Sequence, residues 1–251
     1  MNKTDFALPH DHYPDVVREY YAGINGADAA LPPRETESDT WHCRSQVSRG
    51  AVLEKAGYSM LHITEGRIYN SPGRIKFFET LAYPANPRVP GFVFLANLNE
   101  TDKAARSIVL YTDIFFQDGQ PNEAAREVFA GHLEPVYARH GRDFAKRYKG
   151  EAGRILAGIG GESGIMDFMR ESDADPFLDD IMQAALDAYR DVLESASGLE
   201  ATDEHYAAMF RHRARLVEWL TMEDIGIRFA IESGVPLALI ESYGYPPVVR
   251  Y

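Results

Sequence analysis

Cysteine and positive charge are what this sequence of 251 residues has least of: it holds one cysteine, Cys43, and only 26 Lys and Arg against 38 Asp and Glu. A lone cysteine forms no internal disulfide framework and supplies too few thiolates for a zinc or iron–sulfur centre, which suits a reducing cytoplasm, the expected location. The net charge of −12 argues against a nucleic-acid partner, because such binding needs a basic footprint to displace counterions from phosphate. No stretch approaches the roughly 18 apolar residues of a spanning helix. From Met1 to Tyr13, Lys3 is the sole Lys or Arg and no apolar h-region follows, so neither a cleavable signal nor a membrane span is expected.

Cofactor and nucleophile motifs are missing too. Gly158, Gly160, Gly161 and Gly164 lack the G-x-G-x-x-G spacing of a dinucleotide loop, and no βαβ unit surrounds them. Among eight histidines only His10-Asp11-His12 is a tight group, so no metal site is expected. No Ser or Cys hydrolase motif occurs, and Cys43 has no activating base near it in the chain.

The 45% apolar content is enough for a sizeable core, and one domain over residues 1–251 is the expectation. Residues 1–40 read as a helix and a loop. Val16, Val17, Tyr20, Tyr21 and Ile24 recur at helical spacing behind Pro14, and a polar stretch from Asn25 to Thr40 follows. Across 41–117 the period becomes two. Trp41–Val47, Tyr58–Thr64, Ile75–Tyr83, Phe92–Leu98 and Ser107–Phe116 are strand candidates joined by connections too short for crossover helices, which predicts an antiparallel meander.

Residues 118–251 read as mostly helical: Pro121–His140 with Pro135 inside it, a helix opened by Asp175-Pro176 and running to about Ser197, one from about Asp203 to Leu220, and a last one near Pro236–Tyr243. Ile165–Met169 is a candidate extra strand. The fold class expected is α+β, a three-layer αβα sandwich with a central antiparallel sheet of about five to seven strands. A ligand site would then lie between the sheet and one helical layer.

Three titratable residues sit inside these strand-like runs. Ile75, Phe77, Glu79, Leu81 and Tyr83 share one face of their strand, which sets a carboxylate among large apolar neighbours and predicts a raised pKa. Val109, Tyr111, Asp113 and Phe115 share another face, and Met60, His62 and Thr64 a third. If the three faces coincide, two carboxyls and an imidazole converge on acid–base or redox chemistry; otherwise these groups mark a solvent-facing edge or pair with arginines and helix ends. Arg211, His212, Arg213 and Arg215 form a cationic cluster able to grip carboxylates, or else a solvated helix face. Arg139, Arg142, Lys146, Arg147 and Lys149 form a second basic cluster, a candidate surface for an acidic protein.

Glu54-Lys55, Met60-Leu61-His62-Ile63, Ile75-Lys76-Phe77-Phe78, Leu81-Ala82-Tyr83-Pro84, Asn86, Pro90-Gly91, Val109–Phe116 with Gln117, and Tyr243-Gly244-Tyr245-Pro246 together resemble the ferredoxin-dependent bilin reductases and the related red chlorophyll catabolite reductases, over roughly residues 40 to 247. Glu54-Lys55-Ala56-Gly57, Pro84–Pro90, Gly158–Gly161, Arg213–Glu218, Asp224-Ile225-Gly226 and Pro246-Pro247 are similar to segments of oxygen-dependent coproporphyrinogen oxidase. Two departures stand out. The reductases have a pocket aspartate after the glycine of the third matching strand, where this chain has Phe92 and Val93 after Gly91, and the oxidase's C-terminal G-R-x-E-S is absent.

The first resemblance implies reduction of a linear tetrapyrrole of the biliverdin type. Electrons would arrive singly from an external ferredoxin docked at the second basic cluster, and protons would come from Glu79, Asp113, His62 or Asp224. It further implies that Arg213, Arg215, Arg88 and Asn86 contact the substrate, the arginines through its propionates, and that the protein itself binds no cofactor or metal. The second resemblance implies an oxidative decarboxylase of a porphyrinogen. A carrier that binds a tetrapyrrole without turning it over is the third reading.

Overall fold

The computed structural model describes residues 11–68, 71–101, 104–148, 164–170 and 176–250. Helix α1 (Tyr13–Asn25) leads into a seven-stranded antiparallel sheet made of β1 (Arg34–Glu37), β2 (Trp41–Ser48), β3 (Leu53–Ile68), β4 (Ser71–Pro84), β5 (Gly91–Thr101), β6 (Ala104–Phe115) and, after α2 (Glu123–Arg139), β7 (Ile165–Arg170). Helices α3 (Phe177–Ala196), α4 (Asp203–Met222), α5 (Ile225–Glu232) and α6 (Leu237–Tyr243) complete the chain. Strand order in space equals strand order in sequence. From β1 to β6 the meander follows from connections that leave room for turns only, while β7 joins β6 from beyond α2.

Strand alternation assigns the two faces. On one, Phe78, Thr80, Ala82, Phe92, Phe94, Ala96, Leu98, Ile108, Leu110, Thr112 and Ile114 are all fully buried beneath α1, α2 and α3. Tyr189 of α3 stacks on Phe92 with ring centroids 4.8 Å apart, and Tyr21 of α1 bonds Thr80 Oγ1 at 2.7 Å. Truncating a ring here, as in Phe92→Ala, carries the usual core cost of about 3–5 kcal/mol. The opposite face meets α4, α5 and α6 and is covered unevenly. Leu81, Tyr83, Val93, Tyr111 and Phe115 are buried against Leu216 with Trp219 and Leu220, whereas Phe77, Leu95, Asn97, Val109 and Met166 stay part-exposed.

Helical layers on both faces give the α+β sandwich that the period change predicts. Two elements escaped that reading. β1 carries the sequence Arg-Glu-Thr-Glu with every residue exposed, and it pairs with β2 through Arg34↔Ser45 and Thr36↔Cys43. Such a charged edge strand has no apolar period to reveal it, and its charges deter edge-to-edge association. α5 follows α4 almost without a break, capped by Asp224, whose Oδ1 accepts from Ile227 N at 2.7 Å. At the start of α3, Pro176 is the cap residue rather than the first helical one; Asp175 lies outside the described residues, as do Gly158, Gly160, Gly161, His10 and Lys149.

Candidate active site on the half-open sheet face

Cross-strand register aligns the residues of the half-open face in rows. One row runs Ser59, Glu79, Leu95, Tyr111, Met166 across β3 to β7; a second joins Leu81, Val93 and Asp113; a third runs Leu61, Phe77, Asn97, Val109, Phe168. Glu79 and Asp113 thus share a face, two strands and one row apart.

His62 does not join them. It pairs in register with His42 and Lys76, on the face covered by α1, because Ser59 rather than Met60 stands opposite Glu79. Burial first, then the cations of Lys76 and Arg74, lower the His62 pKa to about 4. At neutral pH the ring is uncharged, so its expected place as a proton donor beside Glu79 is withdrawn.

The two carboxylates differ in access. Asp113 is fully buried, and Tyr111 Oη donates to its Oδ2 at 3.1 Å. A Cβ on Gly164 would stand 2.2 Å from Thr112 O and 2.7 Å from the Asp113 carboxyl carbon, so only glycine lets the β7 backbone pack against this acid. Glu79 is only part-buried, on the same face as Phe77, Leu81 and Tyr83, with Leu95 opposite. Its charge acts on both Tyr83 and Tyr111, whose phenols burial already pushes up. Glu79 is the more accessible of the two carboxylates, and Tyr111, hydrogen-bonded to the sealed Asp113, also feels its charge.

At the row's far end the chain clasps its own C-terminal segment. Tyr83 Oη donates to Gly244 O at 2.6 Å, Lys55 Nζ donates to Tyr245 O, and Tyr245 Oη meets Thr221 Oγ1 at 2.7 Å. Lys55 is 2% exposed, and burial followed by the Arg49 charge lowers its pKa to about 7. Sequence reasoning passed over this lysine. It lies ahead of the Tyr58–Thr64 run, in the part of β3 that the period-two reading did not reach.

The cationic cluster on α4 divides. Arg213 is 2% exposed and donates to Glu54 Oε2 at 2.7 Å, Pro84 O at 3.1 Å and Gln117 Oε1 at 2.8 Å. With its guanidinium spent on the strand ends and stacked 5.8 Å from the Tyr83 ring, Arg213 is a brace, which corrects its assignment as a substrate grip. Arg215 remains exposed on the same helix. Asn86 Nδ2 donates to Leu199 O at 2.7 Å while its Oδ1 accepts from Arg88 N at 2.9 Å, and Arg88 faces Asp118 at 3.5 Å, so both shape the loop between β4 and β5. Asp224, the α5 cap, has its pKa raised by burial and lies in the helical layer over the half-open face.

The second basic cluster is largely neutralised. Arg142 and Arg147 reach the buried Asp167 at 3.2 and 3.0 Å, Arg139 reaches Asp180 at 3.1 Å, and Lys146 reaches Asp143 at 3.2 Å. Four cations set against three carboxylates leave little field to steer an acidic partner. Among the described residues no group of three or more His, Cys, Asp or Glu is placed to hold a metal ion, and no helix is long and apolar enough to cross a membrane. Compared with known proteins, the chain matches no family model and no curated sequence.

Proposed function

We propose that the protein is an oxidoreductase of a flat, conjugated tetrapyrrole, a linear bilin first of all, bound between the half-open sheet face and the layer of α4 to α6. The observation that carries this reading is Glu79: a part-buried carboxylate amid aromatic and aliphatic side chains on a sheet face whose cover is incomplete. Phe77, Leu95, Val109 and Met166 give that face the breadth and apolar character that a planar pigment needs. Such chemistry asks the protein for an enclosing pocket and for proton donors, while the pigment's own π-system carries the unpaired electron between steps.

In the reaction two electrons arrive singly from a reduced ferredoxin, which is oxidised, and two protons add across a double bond of the pigment. Glu79 supplies one proton and is reloaded from solvent through its exposed edge. Asp224, whose burial favours the protonated acid, is the candidate for the other. Tyr111 and Asp113 stand two strands away from Glu79 on the same face.

The test is anaerobic incubation with biliverdin, with and without reduced ferredoxin, followed by absorption spectroscopy. The pigment spectrum should shift on binding and change again on reduction. Glu79→Gln should lower turnover by about 10²- to 10⁴-fold while leaving the binding shift in place. A bound spectrum indifferent to reductant would mean a carrier, and oxygen uptake with carbon dioxide release from coproporphyrinogen would mean an oxidative decarboxylase.

A further inference from the structure

Tyr111 and Asp113 lie two residues apart on β6 and so on one face of the sheet, and the phenol Oη donates to Asp113 Oδ2 at 3.1 Å. Both side chains are buried, and the backbone of Gly164 packs against the carboxyl. Burial first, then the charge of Asp113, pushes the phenol well above its ordinary range, so Tyr111 does not give up a proton alone. Tyr20, Tyr21, Tyr83 and Tyr189 are buried as well, but they hydrogen-bond to carbonyl or hydroxyl oxygens, which keep no proton handed to them. Tyr137 does donate to a carboxylate, that of Asp167, yet it belongs to the core of the opposite face, whereas both tryptophans lie on the side of Tyr111. Trp219 packs against the cluster that contains Tyr111.

We infer that Tyr111 is a one-electron redox site: its phenol yields an electron to an oxidising radical while its proton passes to Asp113, and Trp219 is the point of entry. A radical of the peroxyl class, which oxygen chemistry generates, takes an electron from the Trp219 indole and a proton from water and becomes a hydroperoxide. The indole N–H proton goes to water. The indolyl radical then takes an electron from Tyr111 and a proton from water, and is an indole again. The Tyr111 O–H bond breaks, a new O–H bond forms on Asp113 Oδ2, and the phenoxyl keeps the unpaired electron. Because the carboxylate already faces the phenol, the proton needs no path to solvent. An electron from a thiolate reverses the step, with Asp113 returning the proton. The oxidising equivalent thus moves from a part-exposed indole to a sealed phenol. This assignment holds with or without a pigment on the face, so it stands apart from the tetrapyrrole reading.

The experiment is pulse radiolysis with azide radical, which oxidises indoles in preference to phenols, followed by optical detection of the indolyl and phenoxyl radicals. In wild type the indolyl signal should decay as the phenoxyl signal grows, at a rate independent of protein concentration. That rate should fall in D2O and stay constant as the buffer concentration is raised, since the proton goes to an internal acceptor. Tyr111→Phe and Trp219→Phe should each abolish the conversion. Asp113→Asn, which keeps the shape of the acid, should slow it by about 10²-fold or more, the low end of what a placed proton acceptor contributes. Tyr83→Phe, in the same cluster, should behave as wild type, and thermal midpoints check that each variant is folded. No conversion in wild type, a conversion that speeds up with buffer, or one that persists in Tyr111→Phe or at full rate in Asp113→Asn overturns the inference. None of those results bears on pigment binding or reduction.

Discussion

Lys55 and Glu79 are both charged types enclosed by a sheet face, and their access to water separates them. Lys55 is sealed, and its folded pKa of about 7 lies below the ordinary 10.5. Between those values the unfolded chain binds a proton that the folded chain does not, so stability rises with pH across that window and falls as pH drops towards 7. The slope is at most about 1.4 kcal/mol per pH unit. Urea midpoints at pH 7, 8 and 9 should climb in wild type and lie flatter in Lys55→Met. Glu79 keeps partial access to solvent, whereas Asp113 is buried under Tyr111 and Gly164.

Periodicity made Glu79 and Asp113 legible, because alternation is a local property and both faces were right. It could not reach the register between β3 and β4, and that one-residue question sent His62 to the other side. Arg213 was legible as a cation on a helix but not as a brace, since its partners Glu54, Pro84 and Gln117 lie 96 or more residues away.

At the scale of the element, β7 shows how one buried acid secures a strand. Asp167 is 2% exposed and receives Tyr137 Oη at 3.2 Å, Arg142 and Arg147, and its Oδ1 accepts from Phe168 N at 2.8 Å. Removing it strands a phenol and two guanidiniums. Asp167→Ala should cost about 2–4 kcal/mol in a denaturant titration, discounted from the deeply buried case because the arginines keep partial access to water. The strand itself was legible from Ile165 to Met169, while the partners of Asp167, 20 or more residues away in the chain, were not. The chain order of the helices was legible as well, except that α5 merges with α4 in any periodic reading, and only the Asp224 cap divides them.

For the molecule as a whole, both tryptophans stand on one side of the sheet. Trp41 packs with Phe229 and Tyr245, and Trp219 packs with the cluster around Tyr83 and Tyr111. A pigment entering that layer should quench intrinsic fluorescence strongly, and Trp219→Phe should remove most of the quenchable signal. Quenching that stays with Trp41 alone would place the pigment nearer β2 than Glu79.

The meander of β1 to β6 also sets an order of events when the chain is made. Hairpins of neighbouring strands close between near neighbours in sequence and form early, with little loop entropy to overcome. Yet α4 to α6, the lid of one face, emerge from the ribosome only after all seven strands. Until then Phe77, Leu81, Tyr83, Val93, Leu95 and Phe115 lie bare on a nascent sheet, a surface that chaperones bind and that clumps when synthesis stalls. A ribosome paused near residue 200 would thus display Glu79 and its apolar surroundings before any of these three helices covers them.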